Sequence, residues 1–224
     1  MGALFSPWSD TAIRVVLCLL AAAVVAAVVL PMIYVRTPYN QQREFPLDQP
    51  VQFDHRHHVG DDAIDCRYCH SGAERGPYAG IPSTEVCMGC HAQIWNRSPM
   101  LEPVRRSYFS GQPLRWNRVH DLPDFVYFNH SVHVKGGIGC VTCHGRVDRM
   151  ALDYQVAPLT MGWCLDCHRD PEPHRRPLGA VASMTWSRGN AQDPWEDGAP
   201  PPPIAHDRPG REVDSLTTCT TCHR

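Results

Sequence analysis

Ten of the eleven cysteines in this 224-residue chain fall into five copies of one short string. They are Cys66-Arg-Tyr-Cys69-His70, Cys87-Met-Gly-Cys90-His91, Cys140-Val-Thr-Cys143-His144, Cys164-Leu-Asp-Cys167-His168 and Cys219-Thr-Thr-Cys222-His223, numbered one to five in chain order. Each reads C-x-x-C-H, and the spacing has a chemical reason. Two thiols three residues apart can add across the two vinyl groups of one porphyrin. The next residue then lies beneath the ring, where its imidazole becomes the proximal iron ligand. Zinc ribbons also use C-x-x-C, but they consume such pairs two at a time and give no reason for the histidine. Disulfides at this spacing close strained loops and belong to redox motifs. The expected cofactor is therefore five covalently bound haem c. The ten cysteines attach it, and His70, His91, His144, His168 and His223 are the proximal ligands.

Thirteen histidines less these five leave eight: His55, His57, His58, His120, His130, His133, His174 and His206. Residues 51–59 read Val-Gln-Phe-Asp-His-Arg-His-His-Val and residues 126–134 read Val-Tyr-Phe-Asn-His-Ser-Val-His-Val. Both fit V-x-F-x-H-x-x-H-V. Imidazoles at i and i+3 share one face of a helical turn, so each pair can serve two neighbouring irons. His55, His58, His130 and His133 are thus expected as distal ligands, each pair with a phenylalanine (Phe53, Phe128) to pack on a porphyrin. His57 matches Val132 and reads as a surface residue. His120, between apolar residues, is the choice for the fifth distal ligand, with Met150, Met161 and His206 as alternatives. A thioether ligand would set that iron at a higher potential than its bis-histidine neighbours.

The duplication extends along the chain. Phe53, Cys66 and Cys87 recur as Phe128, Cys140 and Cys164 at a nearly constant offset. The expected organisation is an N-terminus over 1–14, a transmembrane helix over 15–35 and a linker over 36–50. A first two-haem repeat over 51–127 and a second over 128–178 follow. Residues 179–224 form a Pro-rich arm and the fifth attachment unit. The segment after residue 35 must carry all five haems, and so short a stretch for each leaves no room for layered sheets or long bundles. The fold expected is mainly α and irregular, with short helices at the C-x-x-C-H units and long loops wrapped around the porphyrins. Ser98-Pro99 opens a helix toward Gly111 that Pro103 should interrupt. The arm has four consecutive prolines, Pro200–Pro203. It cannot bury enough apolar area to fold alone and reads either as a mobile loop or as an arm laid over a partner subunit, the second preferred.

Val15 to Val35 is uncharged and apolar between Arg14 and Arg36, long enough to span a bilayer. Bulky residues follow it, so it reads as an anchor rather than a cleaved leader. Thioethers form outside the cytoplasm, which puts the N-terminus inside and the haem units outside. A formal net charge of −2 gives no sign of nucleic-acid binding.

Several longer strings resemble the pentahaem, membrane-anchored cytochrome c subunit of alternative complex III, a quinol-oxidising complex. They are Phe53-Asp-His-Arg-His-His58, Ala79-Gly-Ile-Pro82, the run from Trp116 to His130, and Met161-Gly-Trp-Cys-Leu-Asp-Cys-His-Arg169. The His-x-x-His layout is shared more widely with class III multihaem cytochromes. The resemblance implies an electron-transfer subunit in a bacterial inner membrane, without a catalytic site of its own. It implies integral membrane quinol-oxidising subunits and an iron–sulfur subunit as partners. A monohaem cytochrome, a copper protein or an oxidase would be the acceptor. The competing readings are a stand-alone quinol dehydrogenase feeding a periplasmic reductase and a multihaem reductase with an open iron. For the distal ligands, near-infrared magnetic circular dichroism separates bis-histidine from His/Met iron. Five bis-histidine signals support His120 as the fifth distal ligand, and a His/Met band transfers that role to Met150 or Met161.

Overall fold

The computed structural model describes residues 6–186 and 216–223. The chain divides into two bodies, Met1–Arg43 and Glu44–Arg224. The first is built on one helix, α1 (Pro7–Tyr34). It starts well before the expected span. Pro7 occupies the first turn, where its missing N–H costs nothing. Asp10 and Arg14 pair at 3.0 Å, one turn apart on the same face. The helix continues through Pro31 and ends where the Val35 N–H bonds the Pro31 carbonyl. Trp8–Tyr34 is long and apolar enough to cross a membrane.

In the second body, the described residues hold no strand; Ile138 and Arg175 form an isolated bridge. Short helices carry the attachment units: α2 (Cys66–Cys69), α3 (Thr84–His91), α5 (His130–Lys135) with α6 (Cys140–His144), α7 (Met161–Arg169) and α8 (Cys219–Cys222). Of these, α5 carries the second histidine pair rather than a cysteine unit. The first pair lies at the start of a π-helical turn over Arg56–Asp61. The second body is thus helical and irregular, as its pattern of short motifs and prolines requires.

The helix opened by Ser98 differs from expectation. Ser98 accepts from the Met100 N–H, a single 3-10 turn follows over Pro99–Leu101, and α4 then runs over Glu102–Ser110. Pro103 does not interrupt this helix, because it falls in the first turn of α4, where no N–H is required. Gly111 ends it in the left-handed conformation, which glycine adopts without a Cβ penalty.

Two small apolar clusters hold the wrapping together. Val51, Met88 and Val104 pack with Cys87, Leu101, Leu114 and Trp116, tying α3 to α4. Val147, Met150 and Met184 pack with Cys66, Cys140, Val59 and Val156. Val181 and Met184, within the segment expected as the arm, are buried. The Val181 carbonyl accepts from the Cys140 N–H at 2.9 Å, which explains why the chain stays folded there. The rest of the arm, with His206, lies outside the described residues.

The turn carrying the first histidine pair rests on the turn after α6. A Cβ added at Gly60 would lie 2.7 Å from the Asp148 backbone carbonyl, which cannot swing aside. Gly60→Ala is expected to lower the unfolding free energy of the haem-loaded chain by about 1–3 kcal/mol, read by denaturant titration. A change within error would mean the two turns do not touch.

Candidate functional site

A helical turn places the two thiols of a C-x-x-C pair on one face, at i and i+3. The proximal histidine of every unit stands at or next to the end of such a turn: His70 and His223 cap α2 and α8, and His91, His144 and His168 fall in the last two positions of α3, α6 and α7. No cysteine is joined to another as a disulfide. Among the described residues no three His, Cys, Asp or Glu side chains converge as a zinc-type cluster would need.

The imidazoles are held by their Nδ1 atoms. His70 bonds the Gly80 carbonyl at 2.6 Å, His91 that of Ile94 at 3.0 Å, His168 that of Leu216 at 2.9 Å and His223 that of Phe125 at 3.1 Å. Among the distal candidates, His58 bonds Asp54 at 3.0 Å, His130 bonds Pro77 at 2.7 Å and His133 bonds Asn129 at 2.8 Å. A carbonyl can only accept, so each Nδ1 carries the proton and donates it. The lone pair of each ring is then on Nε2. This is the outer-sphere arrangement that orients a metal-binding imidazole and fixes its tautomer.

The two repeats build their histidine pairs in the same way. Phe53 stacks on His58 at 4.4 Å and 21°, and Phe128 stacks on His133 at 4.5 Å and 25°. Edge-on contacts complete each cluster, Phe53 to His55 at 4.8 Å and Phe128 to His130 at 4.7 Å. The duplicated V-x-F-x-H-x-x-H-V string is therefore a duplicated object in space. One half of it is a π-helical turn, the other α5.

Distances between rings test whether these residues fit a haem. Two metal–nitrogen bonds of about 2 Å, plus about 1 Å from each nitrogen to its ring centre, separate the two imidazole centroids by about 6 Å. His58 lies 6.0 Å from His91, His130 lies 6.4 Å from His144, and His133 lies 6.1 Å from His168. Three of the expected distal histidines, His58, His130 and His133, thus stand from a proximal one at the separation an iron needs. His55 lies within electrostatic reach of His70. Burial pushes His55 down to about 4 and His144 to about 3, and neighbouring imidazoles add to both effects. His133 is lowered chiefly by burial too. These rings stay neutral at physiological pH, which is the form that donates to a metal.

His120 is placed differently from the role expected for it. Its ring packs edge-on against His144 at 4.3 Å, beside unit three, and its Nε2 is buried without a partner. Burial pushes it down to about 4. The aromatic ring packed on His223 is that of Phe125, at 5.7 Å. Met150 is core next to Cys66 and Cys140, whereas Met161 is exposed at the start of α7. His57 is on the surface, as expected, stacked on Trp95 at 5.6 Å and near Asp61 and Asp62. His174 is also exposed. Of the arginines, Arg105 and Arg106 pair with Glu102, and Arg175 pairs with Glu172. Arg176 instead lies over the Trp186 ring at 4.9 Å and makes no ion pair among the described residues.

Sequence reading missed the carbonyls that orient the imidazoles, because any residue type supplies one. It also missed Met184, which no motif marks.

Comparison with known proteins agrees with this geometry. Residues 126–224 match a family model described as cytochrome c7 and related cytochrome c. A stretch of 103 residues is 36% identical to the menaquinone reductase multihaem cytochrome c subunit of Nitratidesulfovibrio vulgaris (strain Hildenborough). The match takes in 46% of this chain and 48% of that protein, about half of each. The C-terminal part of the chain, residues 126–224, is thus similar to cytochrome c7 and related cytochrome c.

Phe53→Ala and Phe128→Ala test the stacked phenylalanines. Each is expected to cost about 2 kcal/mol of stability. Phe128→Ala should alter the low-spin electron paramagnetic resonance signals of units three and four, and Phe53→Ala those of units one and two. Spectra identical to wild type in both variants would show that the rings do not orient the ligands.

Proposed function

We propose that the chain is the electron-transfer subunit of a membrane quinol-linked complex and conducts along five covalently bound haem c groups. The observation that carries this is the set of imidazole pairs at 6.0–6.4 Å, built twice by a duplicated string. The relative named as a menaquinone reductase subunit supports the link to a quinone. Bound at these units, haem supplies a one-electron Fe(III)/Fe(II) couple whose potential its axial ligands set.

The chain's own residues hold and tune that couple. The cysteine pairs anchor each group, and the proximal histidines stand ready beside them. His55, His58, His130 and His133 supply the opposite ligands of units one to four. Donation from Nδ1 to a backbone carbonyl raises the basicity of Nε2 and keeps the ring from turning. Histidines of this kind would hold a bound haem at units one to four without an open iron position, which supports conduction over catalysis. Unit five takes its opposite ligand from His120 if the loop before α5 rearranges, or from His206. A quinol releases two electrons and two protons as it becomes the quinone. This subunit takes only the electrons, singly, and the protons leave elsewhere.

In the finer reading α1 is a single membrane anchor with its N-terminus in the cytoplasm of a bacterial inner membrane. The haem domain faces the periplasm. The complex resembles alternative complex III, with integral quinol-oxidising subunits, an iron–sulfur subunit and a monohaem cytochrome, copper protein or oxidase as acceptor. A second reading reverses the current: the relative's name describes quinone reduction, in which electrons would enter through the haems.

Stopped-flow spectroscopy on the native complex distinguishes the directions. Menaquinol should reduce the haem bands faster than a reduced periplasmic cytochrome does. Haem reduction by the cytochrome alone, followed by menaquinol formation, would replace the first reading with the second. Intact mass should exceed the polypeptide by five haems, and His206→Ala should convert one low-spin signal to high spin if that residue serves unit five. Survival of all low-spin signals in His206→Ala and their loss in His120→Ala would return the role to His120.

A further inference from the structure

The geometry points to a spatial order of attachment units, two–one–three–four–five, that differs from their order in the sequence. The two ends of the conductor are then Cys87–His91 and Cys219–His223. The inference rests on the reading that each unit carries a haem, and it adds which units are neighbours.

Each junction stands on contacts of its own. Units one and two are joined by the first histidine pair, one helical turn apart, with His58 facing His91 and His55 within reach of His70. Cys69 also lies within electrostatic reach of Cys87 and Cys90. Units three and four are joined in the same way by α5, with His130 facing His144 and His133 facing His168. Cys143 lies near Cys164 and Cys167.

The junction between repeats is the unexpected one. Chain order would join unit two to unit three. Instead the Cys66 and Cys140 side chains lie next to each other. Both are also tied to adjacent residues of one segment, Cys66 Sγ to the Ala182 carbonyl at 3.8 Å and the Cys140 N–H to that of Val181 at 2.9 Å. Both pack on the Val147–Met150–Met184 cluster. His130, the unit-three ligand, donates to the Pro77 carbonyl in the loop that follows unit one, and the Ser131 N–H reaches Gly76. The two repeats therefore meet head to head through their first units.

Unit five adds to the far end of the second repeat. His168 of unit four donates to the Leu216 carbonyl, just before Cys219, and Cys164 lies near Cys222. Unit two, at the other end, is held by α4 through Met88 and Val104.

The test counts neighbours. In the full chain within its complex, Cys66→Ala/Cys69→Ala removes unit one, and Cys87→Ala/Cys90→Ala removes unit two. Intact mass must first show four haems in each. The proposed order predicts that losing unit one shifts the spectroscopic and redox signatures of two remaining haems. Losing unit two shifts those of one. Chain order predicts the reverse, and that reverse, or equal numbers in both variants, overturns the proposal. If either variant fails to mature, electron cryo-microscopy of the wild-type complex reads the order directly. Units two and five at the ends support it; unit one at an end sinks it. A chain with this order whose haems exchange no electrons with a quinone pool would retire the function proposed above and leave the order standing. A quinol-reducible chain in sequential order would do the opposite.

Discussion

An imidazole can serve a metal only if its ring is held still and its lone pair faces outward, and most of the described architecture follows from that requirement. Seven histidines meet it by giving their Nδ1 proton to a backbone carbonyl. Four of those carbonyls, those of Gly80, Pro77, Phe125 and Leu216, come from 10 to 98 residues away along the chain. The long connections are therefore not slack. They are placed so that a carbonyl arrives behind a ring, and prolines and glycines give them the bends to do so.

The same requirement explains how a body with so small an apolar core keeps its shape. Few aliphatic side chains are buried, and two separate clusters replace one continuous interior. Tyr68, Tyr78, Phe125 and Tyr127 remain exposed on the polypeptide alone. In the proposed function, porphyrins cover much of this surface, and thioether bonds and axial histidines take over the work of hydrophobic packing. Stability and conduction then depend on the same contacts. That coupling is why substitutions at Phe53, Phe128 or Gly60 should register both in unfolding and in spectra.

Duplication gives the conductor its economy of parts. One short string, V-x-F-x-H-x-x-H-V, joins two attachment units wherever it occurs. The Phe–His contacts of its two copies nearly coincide, although one copy is a π-helical turn and the other an α-helix. Joining two such modules needs only one further interface. Cys66, Cys140 and the residues around Val181 form it, and the head-to-head arrangement follows.

The C-x-x-C-H turns and the two histidine pairs were legible in the sequence because their spacing is local. Covalent geometry dictates the spacing of the thiols, and helical geometry dictates the spacing of the imidazoles. The apolar helix was legible for the same kind of reason, since crossing a bilayer needs only length and composition. Tertiary structure alone decided the rest. It seated His120 against His144, buried Val181 and Met184 and let Pro103 open a helix instead of breaking one. It also set which units are neighbours. These outcomes depend on contacts between residues tens of positions apart, such as Cys66 with Cys140 and His130 with Pro77, and no spacing along the chain encodes which loop will arrive behind which ring.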